Sequence, residues 1–125
     1  MSSITQPKNL GDLLKYEAPN LYSREQETVA AAQNLALGTV VGRETTTTKL
    51  KALDPVATDG SEIAIGVLAN DINATLIDRE DAILIARHAI VARGELVWPA
   101  GITASQKRDA IHQLVAVGVL VRDSA

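Results

Sequence analysis

The chain contains no cysteine. Without thiols it can form neither disulfides nor thiolate metal sites, and it has no cysteine nucleophile for catalysis. The usual sign of an oxidising compartment is therefore missing, and the sequence favours synthesis in the cytoplasm.

Aromatic residues are scarce, because the 125 residues include one Trp, two Tyr and no Phe. The core must be assembled from Val, Ile, Leu and Ala, and full burial of each larger aliphatic side chain contributes about 1.5 to 3 kcal/mol. The length indicates one domain. A core of small aliphatic residues gains stability from oligomerisation.

Strong charge and long apolar runs are also missing. The formal net charge is -3, and no block of Lys or Arg is present, so nucleic acid is not expected as a direct partner. The longest apolar stretches, near residues 83–85 and 119–121, are much shorter than the roughly 20 residues that cross a bilayer. The sequence predicts no membrane segment.

The first 26 residues differ from the rest of the chain. They contain two prolines, both tyrosines and a compact apolar group at Leu10, Leu13 and Leu14, without the alternation of a strand. We interpret residues 1–26 as an N-terminal arm that is loosely ordered in isolation, with a helical turn capped by Asn9.

Residues 27–125 have the pattern of a β-rich domain. Short β-type segments occur at 28–32, 35–42, 46–53, 63–69, 72–77, 82–89 and 90–97. Their spacing predicts a mainly β fold, as a small antiparallel sandwich or barrel. Both faces of the 82–89 segment are apolar, so this strand should be covered on both sides, and a subunit interface is one natural cover.

A short C-terminal helix is predicted over residues 103–117. Thr103 and Gln106 have the spacing of a capping box, and apolar residues recur at helical intervals after them. Gly118 ends the helix, and a last short strand follows at residues 119–121.

No residue set predicts catalysis or metal binding. His88 and His112 lack a second ligand at metal-binding spacing, and no Ser lies in a nucleophile elbow. The loop carboxylates could converge as an acid/base pair or a calcium site, but such residues more often hold turns. These carboxylates are Asp54, Asp59, Glu62 and Asp71.

A covalent carrier domain is a second possibility, suggested by residues 37–42. Carrier domains of the biotin or lipoate type display a lysine at a hairpin tip. Neither Lys49 nor Lys51 has such a setting.

Two short signatures carry more information. In the first, residues 58–60 (Thr-Asp-Gly) lead into residues 66–68 (Gly-Val-Leu), and Gly60 is suited to a positive φ. The second is Leu-Val-Trp-Pro at 96–99, where Pro99 must end a strand because it has no N–H. Trp98 is therefore predicted to anchor the rim of a β core.

These signatures, in this order and followed by a short helix, resemble the head decoration proteins of lambda-like tailed phages. The resemblance covers residues from about 27 to 121. It marks Asp59, Gly60, Gly66, Trp98 and Pro99 as a structural signature.

The resemblance implies a non-enzymatic capsid protein of the virion, without a cofactor. It implies a homotrimer that binds the major capsid protein on the outer surface of the expanded head and stabilises the head against DNA pressure. The arm would order against the coat protein, and its deletion over residues 1–20 should weaken attachment while the trimer stays folded. The arm residues expected to bind the capsid are Leu10, Leu13, Leu14, Tyr16, Pro19, Leu21 and Tyr22.

Two other functions stay open on the residues alone. The first is a small β binding or cofactor-carrier domain within a larger assembly. An enzyme that uses the loop carboxylates ranks third.

Overall fold

The computed structural model describes residues 9–123 and is mainly β, as predicted. The strands are β1 Leu14–Glu17, β2 Arg24–Val29, β3 Gln33–Leu35, β4 Val40–Arg43, β5 Leu50–Ala52, β6 Gly66–Leu68, β7 Ile72–Ala74, β8 Arg79–Ile85, β9 Ala89–Ala92 and β10 Val119–Arg122. The α-helices are α1 Leu10–Leu13 and α2 Ala104–Ala116, and 3-10 turns span Pro19–Leu21 and Arg93–Glu95.

Five strands form a closed barrel in the order β2-β5-β4-β6-β8. Strand β8 closes it by pairing antiparallel with β2, with Gln26 opposite Ile83. Among the strand pairs of this barrel, only β2 and β5 are parallel. The closed arrangement leaves these strands without a free edge, which removes a common route to aggregation.

The barrel wall is apolar on both faces. Neighbouring residues of one strand point to opposite sides, and Leu84 lies in the cluster inside the barrel whereas Ile85 lies in the cluster outside it. Val67 and Leu68 of β6 are divided in the same way. The predicted cover on both faces holds for residues 82–85, and the chain itself supplies it. The predicted strand over 82–89 is too long, because β8 ends at Ile85 and His88 is exposed with a φ of 49°.

A second layer covers the outer face of the barrel. It consists of the sheet β1-β9-β10 and helix α2. Val91 and Val119 from this sheet, with Ala110 and Leu114 from α2, share the outer cluster. Strands β9 and β10 are parallel, because α2 lies between them in sequence and returns the chain in the same direction.

Helix α2 begins and ends as the sequence predicts. The Thr103 hydroxyl accepts a hydrogen bond from the Gln106 N–H at 3.0 Å, and the Gln106 side chain accepts one from the Thr103 N–H at 2.9 Å. Gly118 follows the helix with a φ of 91°. The capping box is confirmed.

The segment 9–26 is more structured than the sequence suggests. Asn9 caps α1 as predicted, but β1 pairs antiparallel with β9, and β2 already begins at Arg24. Leu13 is fully buried in the outer cluster. A deletion of residues 1–20 would thus remove part of the core as well as residues 1–8, which lie outside the described residues.

Several predicted strands are shorter in the structure. The 46–53 segment keeps only β5, because residues 44–48 form a turn in which the Thr48 N–H donates to the Glu44 carbonyl and Thr48 has a φ of 61°. The 35–42 segment is divided by a turn at Gly38, whose φ is 94°. Conversely, β8 begins before the predicted 82–89 segment and includes the charged residues 79–81.

Candidate functional site

The first signature holds a loop against the barrel. Gly60 has a φ of 106°, and a Cβ there would lie 2.4 Å from the Thr45 hydroxyl and 2.5 Å from the Arg43 carbonyl oxygen. A Cβ at Gly66 would lie 2.6 Å from the carbonyl oxygen of Ile85. Both glycines are therefore needed for close backbone approach.

The Asp59 carboxylate binds Ser61 within this loop and Lys51 of strand β5. It accepts from the hydroxyl and N–H of buried Ser61 at 2.5 and 3.0 Å, and Lys51 lies 3.2 Å away. These donors, Ser61 first, lower the pKa of Asp59 to about 2. The carboxylate acts as a loop anchor.

The second signature contains one isolated β-bridge and no strand, so the prediction that Pro99 ends a strand is wrong. Val97 forms an isolated bridge with Thr39, and its N–H donates to the Gly38 carbonyl at 2.9 Å. Trp98 follows, half-buried against the outer cluster, and Pro99 accepts a hydrogen bond from the Ile102 N–H at 3.3 Å. The structure places Trp98 at the rim of the core.

Three of the four leucines predicted for binding lie in or against the outer cluster, as Trp98 does. Leu13 is a buried member of the outer cluster, and Leu10 and Leu14 are half-buried against it. They occupy the chain's own core. Their burial leaves them little free surface for a partner.

The other predicted arm residues are exposed beside β1. Tyr16, Leu21 and Tyr22 are each more than half exposed, and Pro19 is exposed at the start of the 3-10 turn. We call Tyr16, Leu21 and Tyr22 the tyrosine face. Leu21 adopts a φ of 58°, a left-handed backbone conformation that costs free energy for a residue with a side chain.

Neighbouring residues hold the tyrosine face in place. The Tyr22 ring lies 5.1 Å from the His88 ring and 5.1 Å from the Arg87 guanidinium. Arg87 also donates to the Tyr22 carbonyl at 2.7 Å and pairs with Glu25. These contacts pre-organise Tyr22, which lowers the entropy cost of binding.

A second exposed apolar group was missed in the sequence. Leu76 and Ile77, in the loop between β7 and β8, are 90% and 68% exposed. The sequence predicts one strand over 72–77, but β7 ends at Ala74, so Leu76 and Ile77 lie in the loop after it. Two adjacent apolar residues directly before the charged run 78–81 were the available signal.

The candidate carboxylates bind groups of the chain itself: Asp54 and Glu62 hold turns, whereas Asp71 joins two segments that are distant in sequence. Asp54, Glu62 and Asp71 each accept a backbone N–H, at 3.2, 2.8 and 2.7 Å respectively. Lys49 pairs with Asp78, and Lys51 pairs with Asp59. Within residues 9–123 no three His, Asp or Glu side chains cluster as a metal site requires.

The helices of residues 9–123 include none with the length and hydropathy to span a bilayer. The described surface carries several exposed apolar side chains, among them the tyrosine face and the loop with Leu76 and Ile77.

The comparisons with known proteins define the class. The family model of the bacteriophage lambda head decoration protein D matches residues 3–119. The chain belongs to this family of phage head decoration proteins, which are structural proteins of the capsid. A comparison with curated protein sequences gave no match.

Proposed function

We propose that this protein binds as a homotrimer to the major capsid protein on the outer surface of the expanded head and stabilises the shell against packaged DNA. The observation that carries the proposal is the family match over residues 3–119. The ordered, exposed side chains of the tyrosine face support a role in adhesion.

The tyrosine face and residues 1–8 are the proposed contact with the coat protein. The side chains of Tyr16 and Tyr22 offer large apolar area at low entropic cost, since each has few rotatable bonds. Leu13 is excluded from this contact, because it is fully buried in the monomer. The proposed binding group is thus smaller than the seven residues predicted from the sequence.

Trimer formation would raise the overall affinity for the head while each single contact stays weak. Once one subunit is bound, the next contacts form within the same complex, and avidity can exceed a single affinity by about a hundredfold or more. A trimer of 13.2 kDa chains has a mass of about 40 kDa. Sedimentation equilibrium measures this mass, and a monomer at the concentration used for head binding would contradict the trimer.

Co-sedimentation with expanded heads that lack a decoration protein tests the proposal. We expect the protein to pellet with these heads. The double variant Tyr16→Ala/Tyr22→Ala and a deletion of residues 1–8 should each bind more weakly. Val56→Ala is the matched control, since Val56 is 80% exposed outside the tyrosine face.

No pelleting of the wild-type protein would refute the proposal. If both variants pellet as well as the wild-type protein, the contact with the coat protein lies on another surface. Reinforcement is tested separately by heating DNA-filled heads, and heads with the protein should retain DNA at temperatures that empty bare heads. Equal DNA release would contradict the stabilising role.

A further inference from the structure

A groove of about 700 Å³ lies between helix α2 and the segment that carries the second signature. Its floor is apolar and consists of Leu96, Trp98 and Ile111. Trp98 and Ile111 are half-buried against the outer cluster, so the floor is fixed to the core. It offers a rigid surface for an apolar side chain.

The other large side chains of the groove are basic. Lys107 and Arg108 lie one helical turn before Ile111 and His112, and Arg93 faces them from the 3-10 turn. Among residues 9–123, no Asp or Glu lines the groove. The Lys107 ammonium lies 6.0 Å from the centre of the Trp98 ring, which joins the basic rim to the apolar floor.

This concentration of positive charge is unusual for the molecule. The chain has a net charge of -3, and most of its described cations form salt bridges. Arg93 pairs with Asp123 at 3.0 Å, whereas Lys107 and Arg108 form no salt bridge with any of residues 9–123. Two cations are therefore available to an acidic ligand.

We propose that this groove binds an acidic peptide segment of a partner protein. An aliphatic or aromatic side chain of the peptide lies against Trp98 and Ile111, and its carboxylates lie beside Lys107 and Arg108. The apolar floor favours a peptide, which can supply an apolar side chain. A nucleic acid is less suited, because its phosphate backbone needs a continuous basic track and the groove has one local group of basic side chains. This binding is additional to attachment at the tyrosine face.

Trp98 provides the assay, because it is the only Trp of the chain. The probe is a short synthetic peptide in which Glu alternates with Leu. Titration into the full-length protein should change Trp98 emission until the groove is saturated. A Lys–Leu peptide and a Glu–Ser peptide of the same length should both bind more weakly, since each lacks one of the two features.

Arg108→Glu is the test variant, and Lys15→Glu is its matched control. Both positions are exposed and both changes alter the charge equally. Arg108→Glu should weaken binding of the Glu–Leu peptide about fivefold or more. This loss exceeds the effect of removing one exposed ion pair, because repulsion replaces attraction. Lys15→Glu should have little effect. Thermal unfolding of both variants establishes that they are folded.

Four outcomes would overturn the proposal. The first is no saturable emission change with the Glu–Leu peptide. The second is equal weakening of peptide binding by Arg108→Glu and Lys15→Glu. The third is tighter binding of oligothymidylate, which would assign the groove to nucleic acid. The fourth is a change in the sedimentation of free protein with Arg108→Glu, which would make the groove a contact between copies of this chain.

Discussion

Substitution of Leu13 tests whether the segment before β2 is part of the folded core. Its side chain is fully buried in the outer cluster, with Val91 of β9 and Leu114 of α2 in the same cluster. Leu13→Ala removes buried carbon atoms and leaves a cavity, and such changes cost about 2 to 5 kcal/mol. We expect about 3 kcal/mol, because α1 is a single turn of four residues that can move to close part of the cavity.

Urea unfolding measures this loss. With an m value of about 1 to 3 kcal/mol per M, a loss of 3 kcal/mol lowers the midpoint by about 1 to 3 M. Trp98 emission and circular dichroism report the transition, at one protein concentration because oligomerisation shifts apparent stability. Leu76→Ala is the matched control, since Leu76 is 90% exposed and should change stability by less than about 0.5 kcal/mol.

The reasoning fails if the two variants unfold at the same urea concentration. Equal midpoints would mean that Leu13 does not contribute to the core. The segment would then be a free arm, as its sequence suggests.

Further predictions concern the loop and the helix cap. Gly60→Ala should cost about 3 to 5 kcal/mol in urea unfolding, because a strained φ and overpacking act together. Gly101→Ala should cost only about 1 kcal/mol, since Gly101 has a φ of 77° but no atom within 4 Å of a Cβ. The lowered pKa of Asp59, about 2 against 3.8, means that its carboxylate stabilises the fold above about pH 4 and loses this effect as the pH falls toward 2. Melting temperatures of Asp59→Asn should therefore decline less over that pH range than those of wild type, and an identical decline would contradict the loop anchor. Thr103→Ala should cost about 1 kcal/mol in thermal denaturation through loss of the capping box, and no change would mean that the cap is dispensable.

Local chemistry allowed helix α2 and the turn at Gly60 to be predicted. The Thr103 cap and the positive φ of Gly60 depend on residues a few positions apart, so the sequence contains the full cause. The β class was likewise indicated by short apolar segments. The barrel order depends on long-range pairing, such as β8 with β2, which no local pattern specifies.

The N-terminal segment shows where sequence reasoning fails. Lys15 and Tyr16 of β1 are exposed, so β1 has no alternating pattern, and its pairing with β9 decides its conformation. Leu13 is buried whereas its neighbour Leu14 is only half-buried, because α1 ends at Leu13 and β1 begins at Leu14. Tertiary contacts therefore decide which apolar side chains are free for a partner.

The groove beside Trp98 could not be predicted for a similar reason. Arg93 and Lys107 are distant in sequence and meet only because α2 lies beside the 3-10 turn. The sequence indicated Trp98 as a rim residue, but it contained no sign of the basic side chains around it.

Imaging of expanded heads with and without this protein tests the central claim most directly. The account predicts added density on the outer surface, grouped in threes around local three-fold positions, with the tyrosine face toward the coat protein. Identical images of the two preparations, at protein concentrations that saturate any binding, would contradict it.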